Sequence, residues 1–201
     1  MKSKILIFGA TGAVGSSLAK LMRNGSGSCH LIGKNEEEVK GLAEETGHTF
    51  SVADVLEDNF VEKIEQEVNE FEISGIAYCI GSIDLKPLNL VSKKDVMKCF
   101  SLNLFPIYDI VKKFQPSLKK NKGSIVLFST VAVKQGFPNH SIISPAKASL
   151  EGLTVSLASE LSPSIRVNCI APSMSNSKMA NKILKNPKIA EGIAKQHPLK
   201  R

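Results

Sequence analysis

Short runs of consecutive apolar residues alternate with stretches of helical period along the whole chain. Ile5–Phe8, His30–Ile32, Thr49–Val52, Ile73–Ile80, Ser124–Ser129 and Ile165–Ala171 read as strands. Between them, Ala13–Arg23, the segment after Asn35, Glu57–Phe71, Ser92 to about Lys120 with a break near Pro106, and Pro145–Leu161 read as helices. Asn35 is a natural N-cap, and Glu36, Glu37 and Glu38 put negative charge on the first turn, where the helix dipole favours it. The tail from Lys178 to Gln196 reads as one or two helices divided at Pro187. Strands that are apolar throughout, rather than alternating, are covered on both faces. Six of them separated by helices predict an α/β fold, a doubly wound parallel sheet between two helical layers. No repeat, low-complexity tract or linker interrupts the pattern, so residues 1–201 are read as a single domain.

The composition agrees with that picture. The chain has 201 residues, 42% hydrophobic and 22% charged, enough for one core and too apolar for disorder. No apolar run approaches the ~18 residues of a membrane span, so no membrane partner is expected. Met1-Lys2-Ser3-Lys4 before Ile5–Phe8 mimics a secretory leader, but a glycine-rich turn follows at once, and a first strand is the better reading. Cys29, Cys79, Cys99 and Cys169 include no Cys-x-x-Cys pair, so neither a metal site nor a disulfide framework is signalled and a cytoplasmic location is expected.

The net charge of +7 points at first to nucleic acid. Its distribution weakens that idea. Residues 35–72 hold 13 of the 19 acids against Lys40 and Lys63 alone, and of the 26 bases only Arg23, Arg166 and Arg201 are arginine. Arginine forks and stacking aromatics do most reading of nucleic acid, and both are scarce here. A lysine-rich solvated surface is the plainer account, and a small-molecule partner is expected instead.

After the first strand comes Gly9-Ala10-Thr11-Gly12-Ala13-Val14-Gly15, and then a helix. Glycines there let the chain turn sharply and let a pyrophosphate approach backbone N–H groups at the helix start. The pattern alone is weak, but its place between first strand and first helix is the required context for a Rossmann-type dinucleotide site. An NAD site calls for an acid near the end of the second strand. Here that end is Leu31-Ile32-Gly33-Lys34-Asn35, with no carboxylate and a cation instead. Lys34 can neutralise a 2′-phosphate, which favours NADP(H) over NAD(H).

In order along the chain, these residues and those that follow resemble the short-chain dehydrogenase/reductase family from Lys4 to the last residue. The resemblance implies an oxidoreductase moving hydride to or from a small carbonyl or alcohol. It implies that Asp54-Val55 contacts adenine. It sets Cys79-Ile80-Gly81 against the adenine ribose, where the family has asparagine and alanine in place of Cys79 and Ile80. Asn103 matches the helical asparagine that holds a water, and Thr130 the hydroxyl that polarises the substrate carbonyl. Lys147 matches the lysine of Tyr-x-x-x-Lys, which also bonds the nicotinamide ribose. Pro172-Ser173 matches the Pro-Gly after the sixth strand, and Ser177 falls where a threonine meets the nicotinamide amide.

The tyrosine of that motif is missing. Ile143 stands four residues before Lys147, and also 13 residues after Thr130, the family's serine-to-tyrosine spacing. Carbonyl reduction needs a proton at oxygen, and isoleucine has none to give. General acid catalysis supplies about 10²–10⁴ in rate, so ordinary ketone reduction should suffer while cofactor binding persists. His140 is the candidate surrogate acid; an ordinary exposed loop histidine is the alternative. Ser144 before Pro145 is an attractive N-cap, which would take residues 143 and 147 off one helical face; a start at Ser141 would keep them together. Two functions therefore stand open: a reductase with altered proton donation, or a catalytically silent NADP(H)-binding sensor or assembly subunit. Family members usually continue beyond Pro198–Arg201 with a helix and a seventh strand, so the chain reads as C-terminally incomplete, with an exposed sixth-strand edge. A homo-oligomer is compatible with the sequence, although the family's common dimer interface looks incomplete.

Overall fold

A computed structural model describes residues 3–23, 27–68, 72–175, 177–178, 180–181, 185–195 and 197. Six strands form one parallel sheet: β1 (Ser3–Phe8), β2 (Ser28–Gly33), β3 (Thr49–Val52), β4 (Glu72–Tyr78), β5 (Ser124–Phe128) and β6 (Arg166–Ile170). Their order is β3-β2-β1-β4-β5-β6, so the direction of winding reverses between β1 and β4. In such sheets ligands bind in the crevice beyond the strand ends at that reversal. The helices are α1 (Ala13–Arg23), α2 (Glu36–Thr46), α3 (Phe60–Val68), α4 (Lys93–Asn103), α5 (Phe105–Lys120), α6 (Ala132–Gln135), α7 (Ile143–Glu160) and α8 (Pro187–Lys195).

The apolar strand runs are explained by burial on two sides. Leu6 and Phe8 of β1 face the core against α3, α5 and α7, while Ile7 between them joins Leu31, Ala19, Val39 and Leu42 on the α1–α2 side. Alternate side chains of a strand point to opposite faces, so each residue of the run has its own layer to fill.

The doubly wound α/β fold is as expected from the pattern, and the differences are local. The helix expected from Glu57 begins at Phe60, because Asp54 Oδ1 accepts the Leu56 N–H at 3.1 Å and Glu57 N–H bonds Asp54 O at 3.0 Å, which makes residues 54–57 a turn. The long helix breaks at Leu104, and Pro106 falls in the first turn of α5. Proline has no N–H to return to Leu102 O; the Tyr78 hydroxyl supplies that bond at 2.7 Å. Ser92 closes a capping box with Asp95 at the start of α4. The seventh helix starts at Ile143, two residues before the expected Pro145. Ser144 is therefore not its cap: its N–H bonds His140 O at 2.9 Å and its hydroxyl bonds Ala132 O at 3.2 Å. The short α6 was not anticipated. The tail forms α8 from Pro187 onward; residues 69–71, 182–184, 196 and 198–201 lie outside the described residues.

One polar cluster sits within the apolar layer. His30 of β2 is 1% exposed, with Nδ1 at 2.8 Å from Thr49 Oγ1 and Nε2 at 2.5 Å from Ser51 Oγ. Ser51 in turn donates to Glu67 on α3. Lys4 Nζ donates to Thr49 Oγ1 at 2.8 Å. Burial, with Lys4 nearby, pulls the His30 ring down to about 4.

Candidate functional site

The turn after β1 has no room for a side chain at Gly9 or Gly15. A Cβ on Gly15 would lie 2.4 Å from Gly9 O and 2.8 Å from Ala10 Cα. Gly9 has φ +72, and a Cβ there would lie 2.9 Å from Ile80 Cγ1. Gly12 N–H bonds Gly9 O at 3.0 Å, and Ser16 N–H bonds Gly12 O at 2.8 Å, which carries the turn directly into α1. The first N–H groups of that helix, at Ala13, Val14 and Gly15, lack intrahelical acceptors, as in every helix. Gly9 and Ala10 N–H groups both bond Ile32 O at 3.0 Å, tying the turn to the end of β2. There Thr11 Cγ2 lies 3.5 Å from where a Gly33 Cβ would stand. Lys34 is exposed just beyond. Asn35 Oδ1 accepts the Glu38 N–H at 3.0 Å, so this side chain caps α2, as its position suggested. Lys178 comes to the same corner, with Nζ 3.0 Å from Glu38 Oε1.

On the other side of the crevice, Cys79 N–H bonds Phe8 O at 2.9 Å, extending β4 into Cys79-Ile80-Gly81. Gly81 lets two polar side chains converge: a Cβ there would lie 3.0 Å from Lys147 Nζ and 3.4 Å from Asn103 Oδ1. Asn103 is fully buried, and its Nδ2 donates to Cys99 O at 2.9 Å and Ser82 Oγ at 3.2 Å. Its Oδ1 is the one buried side-chain polar atom without a partner among the described residues. Ser82 donates onward to Asp84.

Lys147 is only 8% exposed. Burial pulls its ammonium down to about 8. The thiols of Cys99, Cys169 and Cys79 would oppose that if ionised, but burial pushes Cys99 up to about 11 and Cys79 to about 12. At the pH where Lys147 titrates they are neutral and lend it no charge. One turn earlier on α7, Ile143 is 5% exposed and packs with Cys99, Ile142 and Ala146. The helix start at Ile143 thus keeps residues 143 and 147 on one face.

Thr130 follows β5. Parallel pairing continues past the strand ends here: Ser129 N–H bonds Ile170 O at 2.8 Å and Val131 N–H bonds Pro172 O at 3.1 Å. The loops carrying Thr130 and Ser173 are therefore neighbours. Thr130 Oγ1 accepts the Ala132 N–H at 3.3 Å, while Ser129 Oγ is spent on Glu151 Oε1 at 2.7 Å and Lys147 O at 3.2 Å.

These elements enclose a cavity of about 390 Å³, lined by Thr130, Ile143, Lys147, Cys79, Ile80 and Gly81, with Val14, Pro172, Ser173 and Ser177 also on its wall. Its remaining wall is largely apolar, from Ile83, Leu85, Phe137 and Met174. Gly9, Thr11, Gly12, Ala13, Gly15, Lys34, Asn35, Asp54 and Val55 lie outside it, along the turn and the ends of β2 and β3. The Ser177 hydroxyl caps a turn, accepting the Ala180 N–H at 3.0 Å. His140, in the loop before α7, is half-buried and lines the cavity, its ring 5.4 Å from Phe137 and its Nδ1 2.8 Å from Pro138 O. The sequence reading missed Ser82, Asp84 and Cys99, and above all His197, which lines the cavity from beyond α8.

A family profile described as Enoyl-(Acyl carrier protein) reductase matches residues 9–201, taking in every part of this site. The chain belongs to the short-chain dehydrogenase/reductase family. As a short-chain dehydrogenase/reductase it is an oxidoreductase of the type that works with a nicotinamide cofactor. It is similar to the 3-oxoacyl-(acyl-carrier-protein) reductase FabG of Rickettsia typhi, 27% identical over 206 residues that span 96% of this chain and 80% of the relative. The Cj0485 dehydrogenase structure is 26% identical with a TM-score of 0.88, covering 98% of this chain and 80% of that one. A structure of ElxO with NADP bound shares the fold, with a TM-score of 0.89 and 23% identity over 100% of this chain and 86% of its own. The residues present fit a dinucleotide: a turn at a helix start that admits no side chain at Gly9 or Gly15, and a buried unpaired acceptor, Asn103 Oδ1, beside a buried cation. Among the described residues no group of His, Cys, Asp and Glu is placed to hold a metal, and no helix is long and apolar enough to cross a membrane.

Proposed function

We propose that this protein is an NADP(H)-dependent oxidoreductase acting on a small carbonyl or alcohol, with proton donation altered by Ile143. The observation that carries the reading is the meeting of Thr130, Lys147 and the Gly81 turn in one cavity at the reversal point of the sheet. When bound, the reduced nicotinamide supplies hydride. The Gly9–Gly15 turn and the start of α1 hold the pyrophosphate, Asp54 and Val55 the adenine, and Cys79-Ile80-Gly81 its ribose. Lys34, beside Asn35, meets the 2′-phosphate, and the end of β2 has Gly33 where an NAD site calls for a carboxylate. Pro172, Ser173 and Ser177 border the nicotinamide. Lys147 binds the second ribose as a cation, with Asn103 behind it. Thr130 offers its hydroxyl to the substrate oxygen. The apolar wall of Ile83, Leu85, Phe137 and Met174 suits a small, mostly apolar substrate.

Ile143 favours a second reading, a catalytically silent NADP(H)-binding sensor or assembly subunit. It fills the acid's position with a buried aliphatic group while the nucleotide elements remain. Fluorescence titration with NADPH and NADH, followed by a carbonyl panel, separates the two. Tighter binding of NADPH, and turnover of a panel member, are expected. NADPH binding without turnover selects the silent reading, and failure to bind either nucleotide refutes both.

A further inference from the structure

Ile143 leaves the cavity without its usual acid, yet a hydroxyl paired with an imidazole lies on the same wall. His197 Nδ1 is 2.8 Å from Ile193 O. A carbonyl can only accept, so Nδ1 carries the proton, and in the neutral ring Nε2 is an acceptor. Nε2 lies 2.5 Å from Ser173 Oγ. The arrangement is therefore hydroxyl, base and orienting group in sequence, the constellation that makes an otherwise inert serine able to exchange protons. Both Ser173 and His197 line the cavity with Thr130. The bond from Val131 N–H to Pro172 O, at 3.1 Å, fixes the Ser173 loop beside the Thr130 loop. His140 has a similar Nδ1 anchor, on Pro138 O; what distinguishes His197 is the pocket hydroxyl on its other nitrogen.

We propose that Ser173 and His197 are the proton-transfer pair of this pocket, with Ser173 Oγ meeting the substrate oxygen and His197 reloading it. The proposal rests on the oxidoreductase reading and supplies what Ile143 withholds. In reduction the carbonyl carbon gains hydride, the C=O π pair moves onto oxygen, and that oxygen takes the proton of Ser173 Oγ. As this O–H bond breaks, the Nε2 proton of the His197 imidazolium passes to Oγ. The serine ends as it began, the ring ends neutral, and solvent returns the proton to Nε2 before the next turnover. In alcohol oxidation the same bonds form and break in reverse, starting from the neutral ring. Ser173 is the catalytic residue of the pair, and His197 acts through it.

The test uses the 201-residue chain and the best carbonyl of the panel, with hydride transfer followed by stopped flow. At saturating NADPH, Ser173→Ala and His197→Gln are expected to slow hydride transfer about 10²-fold. Ser173→Thr, which keeps a hydroxyl, retains most of the rate. Ile143→Tyr added to Ser173→Ala restores it. A solvent deuterium isotope effect on the wild-type step disappears in His197→Gln. Independently of nucleotide, NMR of the free protein should show the neutral His197 ring as its Nδ1–H tautomer, with the Nε2 signal moving in Ser173→Ala. If Ser173→Ala and His197→Gln bind NADPH and keep the wild-type rate, the pair is not the proton source and the oxidoreductase reading survives. The Nε2–H tautomer in the free protein also overturns the pair. NADPH binding by a wild type that reduces nothing removes the pair and leaves the silent reading, and absence of nucleotide binding removes all three.

Discussion

Ile143 stands one helical turn before Lys147 on α7, and both side chains open onto the same cavity. That relationship makes Ile143→Tyr an informative substitution. A phenol placed there shares a face with an ammonium already pulled down to about 8 by burial, and a nearby cation favours phenolate and so lowers a phenol's pKa. Added to Ser173→Ala, it is expected to raise carbonyl reduction by about 10²-fold, measured as kcat with NADPH. The larger ring disturbs the packing of the Cys99, Ile142 and Ala146 cluster, so melting should show a loss of about 1–3 kcal/mol. Unchanged kcat in a folded, NADPH-binding variant would mean that Thr130 and Lys147 are not arranged for hydride transfer.

Gly15 and Gly41 are expected to respond oppositely to alanine. At Gly15 the new Cβ meets the backbone of Gly9 and Ala10, which cannot give way without opening the turn. Gly15→Ala should lose about 2–4 kcal/mol of stability and NADPH binding with it. Gly41 lies within α2 with nothing within 4 Å of its Cβ position. Gly41→Ala should gain about 0.5–1 kcal/mol from helix propensity and leave nucleotide affinity unchanged. Urea denaturation and fluorescence titration of the two variants check both signs. A Gly15→Ala protein that binds NADPH normally would disprove the cradle.

What could be read from the sequence was what local chemistry determines. The Gly9–Gly15 turn needs bare backbone, the Asn35 cap needs a short acceptor, and the strands need apolar residues on two faces; each leaves its mark within a few positions. The facing of Ile143 and Lys147 depended on where α7 starts, and an α-helical bond from Ser144 N–H to His140 O decides it. Ser144 and Pro145 suggested a different start because capping preference was outweighed by the packing of Ile142 and Ile143 against Cys99. His197 was illegible for another reason. Its partner Ser173 lies 24 residues away, and only the return of α8 over the cavity brings the two together. The network of Asn103, Ser82 and Asp84 likewise joins a helix to a loop with no spacing rule to announce it.

His30 should govern acid stability. Its ring is held neutral, near 4 in the folded chain against an ordinary 6.5. Between those values the unfolded chain binds a proton that the folded chain does not, so stability falls as pH drops from 6.5 to 4. The loss attributable to this group is up to about 3 kcal/mol. His30→Gln keeps a polar group for Thr49 and Ser51 but cannot titrate. Denaturation midpoints of the two proteins, compared from pH 7 to pH 4, should converge as the wild type weakens. Parallel curves would show that His30 is protonated at little cost.

Lys147 predicts the opposite end of the pH scale. Its folded value of about 8 lies below the ordinary 10.5, because burial penalises the ammonium. Below pH 8 both states are charged and the folded state bears the full penalty, up to about 3 kcal/mol. As pH rises from 8 to 10.5 the folded lysine is already neutral while the unfolded one still holds its proton, so stability gains. Lys147→Met, of similar length and free of charge, should therefore be more stable than wild type at pH 7, with the advantage shrinking to nothing by about pH 10.5. The same variant should bind NADPH more weakly, since the cation beside Gly81 is gone. An advantage independent of pH would trace the gain to packing alone. Saturating wild type with NADPH should also raise its melting temperature most below pH 8, where the nucleotide's negative charge stabilises an ammonium that the empty pocket disfavours.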